Sequence, residues 1–148
     1  MMSGIQTITV LLVEDDPGDV LLMQKAFQRA KLMIPLNVLN NGEEALTYLR
    51  QEEEYREAEK PDLILLDINL PGLSGLEVLQ EIKSDEYLRR IPVVILTTSD
   101  AEEEILRSYN LGASAYVKKP IGIEGFAAIT KSLEYFWFTV VKFPPHSS

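Results

Sequence analysis

The chain has no cysteine, one tryptophan and one histidine. Without cysteine there can be no disulfide framework and no thiolate metal site, a composition that suits a reducing cytoplasmic setting. The one histidine, His146, sits in a Pro-Pro-His-Ser-Ser ending expected to be disordered, so histidine-based catalysis within one chain is not expected. No apolar run approaches the roughly 18 residues of a membrane span. The N-terminus has no basic region and no small-residue cleavage site, and its apolar stretch runs into acids, so no signal peptide is expected. Positive charge is also short. Lys and Arg number 14 against 23 Asp and Glu, for a net charge of -9. That balance argues against nucleic acid or an anionic membrane as a partner. The acidic stretch from Glu52 to Glu59 reads as the solvated end of a helix.

With 148 residues, 46% of them hydrophobic, the chain fits one domain with a substantial core. Apolar runs recur and each ends in polar chemistry. Val10-Leu11-Leu12-Val13 runs into Glu14-Asp15-Asp16, and Leu63-Ile64-Leu65-Leu66 into Asp67. Val93-Val94-Ile95-Leu96 runs into Thr97, and Tyr116-Val117 into Lys118-Lys119-Pro120. Between them lie amphipathic stretches. The pattern predicts strands at about Thr7 to Val13, Leu36 to Leu39, Asp62 to Asp67, Pro92 to Leu96 and Ser114 to Val117. Helices are expected from Pro17, with a stripe of Val20, Leu21, Gln24 and Phe27, from Glu43 and from Gly75. Two more follow, one capped by Ser99 or Asp100 and ended by Gly112, the last from about Ile123 to Val141. Near-continuous apolar strands alternating with helices imply an α/β fold. The form expected is a doubly wound, five-stranded parallel sheet covered on both faces, with the strand order 2-1-3-4-5 that flavodoxin-like folds use.

In such a sheet the C-terminal strand ends share one edge, where ligands bind. Glu14, Asp15 and Asp67 therefore converge. At ~5 Å and an effective dielectric of about 20, each like-charged pair costs ~3 kcal/mol. A hard divalent cation with oxygen ligands removes that cost, and Mg²⁺ is usually held by a few carboxylates and waters. Alone, Glu14-Asp15-Asp16 would read as a loop with a helix cap; Asp67 on the adjacent strand tips the reading to metal. Lys119 and Thr97 reach the same edge. Singly they are a salt-bridging lysine and a strand-end threonine. A carboxylate nucleophile, Mg²⁺, an ammonium and a hydroxyl together suit phosphoryl transfer, which depends on positioning and charge stabilisation.

From about Ile8 to Leu133 the chain resembles the receiver domain of two-component response regulators. The likeness rests on Leu11 to Asp16, on Asp62 to Gly75, on Thr97 and on Tyr116-Val117-Lys118-Lys119-Pro120. The resemblance implies that Asp67 accepts a phosphoryl group from the histidine of a sensor histidine kinase. It implies Mg²⁺ at Glu14, Asp15, Asp67 and the Asn69 backbone carbonyl. It makes Lys119 the phosphate contact, with Lys118 pointing elsewhere. Thr97 and Tyr116 become a switch pair acting on the surface of the fourth helix, fifth strand and fifth helix. No output domain is expected after the last helix, and no enzymatic activity beyond the domain's own phosphotransfer and dephosphorylation. The closing segment Glu134 to Pro144 is similar to single-domain regulators that partner cyanobacterial phytochromes.

Two other readings share the topology. A haloacid-dehalogenase-type phosphatase needs an acid two residues after its nucleophile, where this chain has Asn69. A flavodoxin needs donors for flavin phosphate after strand one, where Glu14-Asp15-Asp16 would repel it. The end of the chain suggests a homodimer. Phe126, Ile129, Leu133, Phe136 and Val140 account for one stripe against the sheet, which leaves Trp137, Phe138, Val141 and Phe143 over. An interface of Phe136, Trp137, Phe138, Val141 and Phe143 with a two-fold copy is expected; the alternative is a segment folded back on its own domain.

Overall fold

Strand-forming runs of Leu, Ile and Val become the centre of a sheet in the computed structural model, which describes residues 9–29, 35–98, 101–119 and 122–135. The order is β1 (Val10–Val13), α1 (Pro17–Arg29), β2 (Leu36–Leu39), α2 (Gly42–Leu49), a single 3₁₀ turn (Glu53–Tyr55) and β3 (Leu63–Leu66). It continues with α3 (Gly75–Ser84), β4 (Val93–Thr97), α4 (Glu102–Asn110), β5 (Ala115–Lys118) and α5 (Gly122–Tyr135). The strands are parallel in the order β2-β1-β3-β4-β5.

Alternate residues of each strand enter different cores. Leu11, Val13, Ile64, Leu66, Val93 and Ile95 pack with side chains of α2 and α3. Val10, Leu12, Leu63, Leu65, Val94 and Leu96 pack with Met23, Ala26 and Phe27 of α1 and Phe126 of α5. Both faces of the central strands are thus buried, which is why the runs carry no polar alternation. Each fully buried aliphatic side chain contributes about 1.5–3 kcal/mol.

Register brings the chemistry together. Val13 pairs with both Leu39 and Leu66, and Thr97 pairs with Lys118. Backbone bonds then carry the ladder one step further. The Asp67 amide donates to the Val13 carbonyl (3.1 Å), the Glu14 amide to Leu39 (2.9 Å) and the Lys119 amide to Thr97 (2.7 Å). Glu14, Asp67 and Lys119 therefore leave the sheet in fixed directions.

Several local expectations change. Leu21 is 49% exposed, and the buried stripe of α1 is Met23, Ala26 and Phe27, the i, i+3, i+4 set. Asp67 lies just past β3, while β4 and β5 each run one residue further, to Thr97 and Lys118. Ala101 occupies the N-cap of α4 and has no polar side chain to cap with. Glu102, Glu103 and Glu104 in its first turn complement the helix dipole instead. Ser99, Asp100 and the segment from Phe136 onward, including Trp137, Phe138, Val141 and Phe143, lie outside the described residues. Leu111 is the C-cap of α4, and Gly112 follows it with φ of 103°, the left-handed position just past a helix end.

Candidate functional site

Lys119 occupies the centre of the carboxyl edge. Its side chain is 6% exposed, and Nζ donates to Asp19 Oδ2 at 2.8 Å and Asp67 Oδ2 at 3.1 Å, and pairs closely with Glu14 Oε1. Glu14 and Asp67 are buried, at 2% and 5% exposure; Asp15 is exposed. Carboxylate oxygens of Glu14, Asp15 and Asp67 all lie within 4.8 Å of one another.

Backbone geometry aims these groups. Asp67 Oδ1 accepts from the Asn69 amide (3.1 Å), which holds the carboxylate across its own turn. The Asp16 amide donates to Glu14 Oε2 (3.2 Å), and Asn40 Nδ2 donates to the Glu14 carbonyl (3.2 Å). Ser74 caps α3 in a reciprocal bond with Glu77, which starts that helix directly under the site loop. Gly75 permits the approach: a Cβ there would fall 2.0 Å from the Asp67 carbonyl oxygen and 2.6 Å from Ile68 Cα.

The charges are unequal, with four carboxylates around one ammonium. Burial pushes the Glu14 carboxyl up from its ordinary 4.5 to about 7. The Lys119 bond opposes that rise and the Asp67 charge adds to it. Burial also works against the charged form of Lys119, but the bonds to Asp19 and Glu14 and the charge of Asp67 outweigh it, so its pKa rises above the usual lysine range. The ammonium stays charged, and the surplus of negative charge falls on the acids. A surplus of hard oxygen donors, with no nitrogen or sulfur ligand among them, fits a divalent metal ion.

Thr97 is fully buried, and its Oγ1 accepts from Asn69 Nδ2 at 3.3 Å. Tyr116 pairs with Ile95 and packs against the α2–α3 core, so it shares a sheet face with Thr97. The Tyr116 amide donates to Tyr109 Oη of α4 (3.2 Å). Lys118 is exposed.

The structure thus brings together Glu14, Asp15, Asp67, Lys119, Asn69 and Thr97, with Tyr116 on the adjoining strand. It adds Asp19, Asn40 and the amide of Asn69, whose contacts sequence reasoning missed. Asp19 follows Asp16 at the spacing of a helix first turn, and the Asp16 Oδ1 bonds to Gly18 and Asp19 amides confirm that start. Nothing in that local pattern points to a lysine 100 positions away.

Residues 10–131 match the model of the response regulator receiver domain family. Response regulator Rcp1 of Synechocystis sp. is 39% identical over 135 residues, covering 91% of this chain and 92% of that protein. The probable methanogenesis regulatory protein FilR2 of Methanothrix harundinacea is 37% identical over 128 residues, 86% of this chain and 82% of that one. Among solved structures, the phosphorylated cyanobacterial phytochrome response regulator RcpA aligns with a TM-score of 0.89 and 43% identity, covering 95% of this chain and 100% of RcpA. The Mn²⁺-bound form of Rcp1 aligns with a TM-score of 0.85 and 38% identity, covering 93% and 99%. Among the described residues no helix is long and apolar enough to cross a membrane.

Proposed function

The chain belongs to the response regulator receiver family, and from that premise we propose that Asp67 is its phosphoacceptor, working with Mg²⁺ at Glu14, Asp15, Asp67 and the Asn69 carbonyl. Receivers of this family take a phosphoryl group from a sensor histidine kinase and bind a divalent metal at an acidic pocket. The observation that carries the assignment is the position of the Asp67 carboxylate: within 4.8 Å of two other acids and bonded to the buried Lys119 ammonium.

The chemistry follows from that placement. An Asp67 carboxylate oxygen forms a bond to phosphorus as the phosphorus–nitrogen bond of the donor phosphohistidine breaks, and the imidazole leaves with the electron pair. Lys119 is already bonded to Asp67 and offers an ammonium to a phosphoryl oxygen in a water-poor setting, where such a charge counts most. Mg²⁺ held by Glu14, Asp15 and Asp67 would add further charge neutralisation at the site. The Thr97 hydroxyl turns to a second phosphoryl oxygen, leaving the Asn69 amide. Tyr116 shares its sheet face, and its ring takes up the space vacated, altering the surface at α4 and β5. Asn69 stands where a phosphatase would need an acid, and its amide is bonded to Thr97.

The kinase we propose is a phytochrome, on the strength of the likeness to Rcp1 and RcpA. The receiver domain acts in the cytoplasm as a signalling module and not as an enzyme on external substrates. It pairs with a second copy through Phe136, Trp137, Phe138, Val141 and Phe143, a reading that rests on the apolar residue types of this stretch of sequence. Incubation with an autophosphorylated phytochrome kinase and Mg²⁺ should transfer one acid-stable, base-labile phosphoryl group. An Asp67→Asn protein labelled at the wild-type rate would overturn the acceptor assignment. A wild type that sediments as a monomer at tens of micromolar, with and without phosphorylation, would overturn the dimer.

A further inference from the structure

Lys119 spends its three donors on Glu14, Asp19 and Asp67. Two of those acceptors belong to the metal-binding cluster. Asp19 does not: the oxygens that converge are those of Glu14, Asp15 and Asp67. Once Glu14 and Asp67 turn to a divalent cation, the ammonium loses two of its partners and faces a like charge. Asp19 is the acceptor left to hold it.

The first turn of α1 is arranged for this. An acid at the third helical position commonly returns to the amide of the capping residue. Here the Asp16 amide already donates to Glu14 Oε2, and Asp19 Oδ2 is bonded to Lys119 instead. Asp16 Oδ1 accepts from the Gly18 and Asp19 amides, so the backbone that carries Asp19 is fixed. The side chain of Asp19 is 25% exposed, against 2% for Glu14 and 6% for Asp67. It is the most water-accessible of the three acids around the ammonium.

Resting on the reading of Glu14, Asp15 and Asp67 as the metal-binding acids, we infer that Asp19 is a positioning residue: it receives the Lys119 ammonium when metal binds and keeps it at the site for a phosphoryl oxygen. Removing the Asp19 charge leaves the ammonium competing with metal for Glu14 and Asp67.

The test is a double-mutant cycle read by Mn²⁺ binding, with free Mn²⁺ followed by electron paramagnetic resonance and the fold of each variant by circular dichroism. Asp19→Asn should weaken Mn²⁺ binding about tenfold when Lys119 is present, a coupling typical of contacting charged groups. In a Lys119→Met background the same change should cost less than about threefold, because there is no ammonium to hold. Asp19→Glu should stay within about threefold of wild type. Asp19→Ser, a second polar replacement in the same helical turn, should repeat the result of Asp19→Asn. Equal losses in both backgrounds would reduce Asp19 to a general negative charge and overturn the inference, as would no loss with Lys119 present. Wild-type Mn²⁺ affinity in a Glu14→Gln, Asp15→Asn protein would instead remove the metal-site reading beneath it, so the two failures are distinguishable.

Discussion

Among the described residues, half-buried Lys83 and the more deeply buried Lys119 side chain sit at opposite edges of the sheet, and their surroundings differ in kind. Lys83, at the end of α3, donates from Nζ to the carbonyls of Arg89 and Ile91, both at 2.9 Å. Those carbonyls belong to the connection leading into β4, so Lys83 ties the amino edge together. Lys119, at the carboxyl edge, bonds carboxylates. Burial lowers the pKa of Lys83, and two neutral dipoles do not make up the lost hydration. At Lys119 the bonded acids reverse the direction. A lysine among carbonyls holds a loop. A lysine among carboxylates holds charge against charge.

The largest break in that comparison is Lys119→Met. Loss of one buried donor to a developing phosphoryl charge should slow phosphotransfer to Asp67 at least about a hundredfold. The same change should tighten Mn²⁺ binding, because the internal counter-ion is gone; weaker binding would show that Lys119 does not compete with metal. Gly75→Ala attacks the same edge through the backbone. Its Cβ would meet the Asp67 carbonyl oxygen at 2.0 Å, so α3 must retreat. Denaturant unfolding should show a loss of about 2–3 kcal/mol, and unchanged stability would mean the loop yields without cost.

Lys83→Met supplies the contrast. Two charge-assisted bonds are lost, while the desolvation of a half-buried ammonium is relieved. A loss of about 1–2 kcal/mol in stability is expected, with phosphotransfer within about twofold of wild type. A large fall in phosphotransfer would tie the amino edge to the chemistry and erase the distinction.

The smallest effect lies in pH. Glu14 titrates near 7 when folded and near 4.5 when not. Between those values the folded state holds the extra proton. The stability this gives is complete below about 4.5 and is lost as pH rises through about 7. Without metal, the melting temperature of the wild type should therefore fall from pH 5.5 to pH 8 relative to Glu14→Gln. Metal binding needs the carboxylate, so Mn²⁺ affinity should rise over the same interval. Parallel melting curves for the two proteins would contradict the burial effect at Glu14.

Much of the site was legible from residues alone because charge is so costly at the end of a buried strand. Glu14 and Asp67 directly follow apolar runs with no polar alternation, and Lys119 follows Tyr116-Val117 with one exposed lysine between. Periodicity erred where several helical faces were plausible. It placed Leu21 in the stripe of α1, and packing against β1 and β3 selected Met23, Ala26 and Phe27. The cap of α4 was sought in a polar residue, and the helix starts after Ala101.

What the linear sequence determined is the set of strands, the burial of the central ones on both faces and the polar residues that leave them, since each depends on neighbours in the chain. Tertiary structure alone decided which polar groups meet. Asp19 reaches Lys119 because α1 and α5 lie side by side on one face of the sheet, and Asn69 reaches Thr97 because β3 and β4 are adjacent. Those contacts span 100 and 28 positions, distances over which a hydrogen bond has no local sequence signal and exists only once the sheet has assembled.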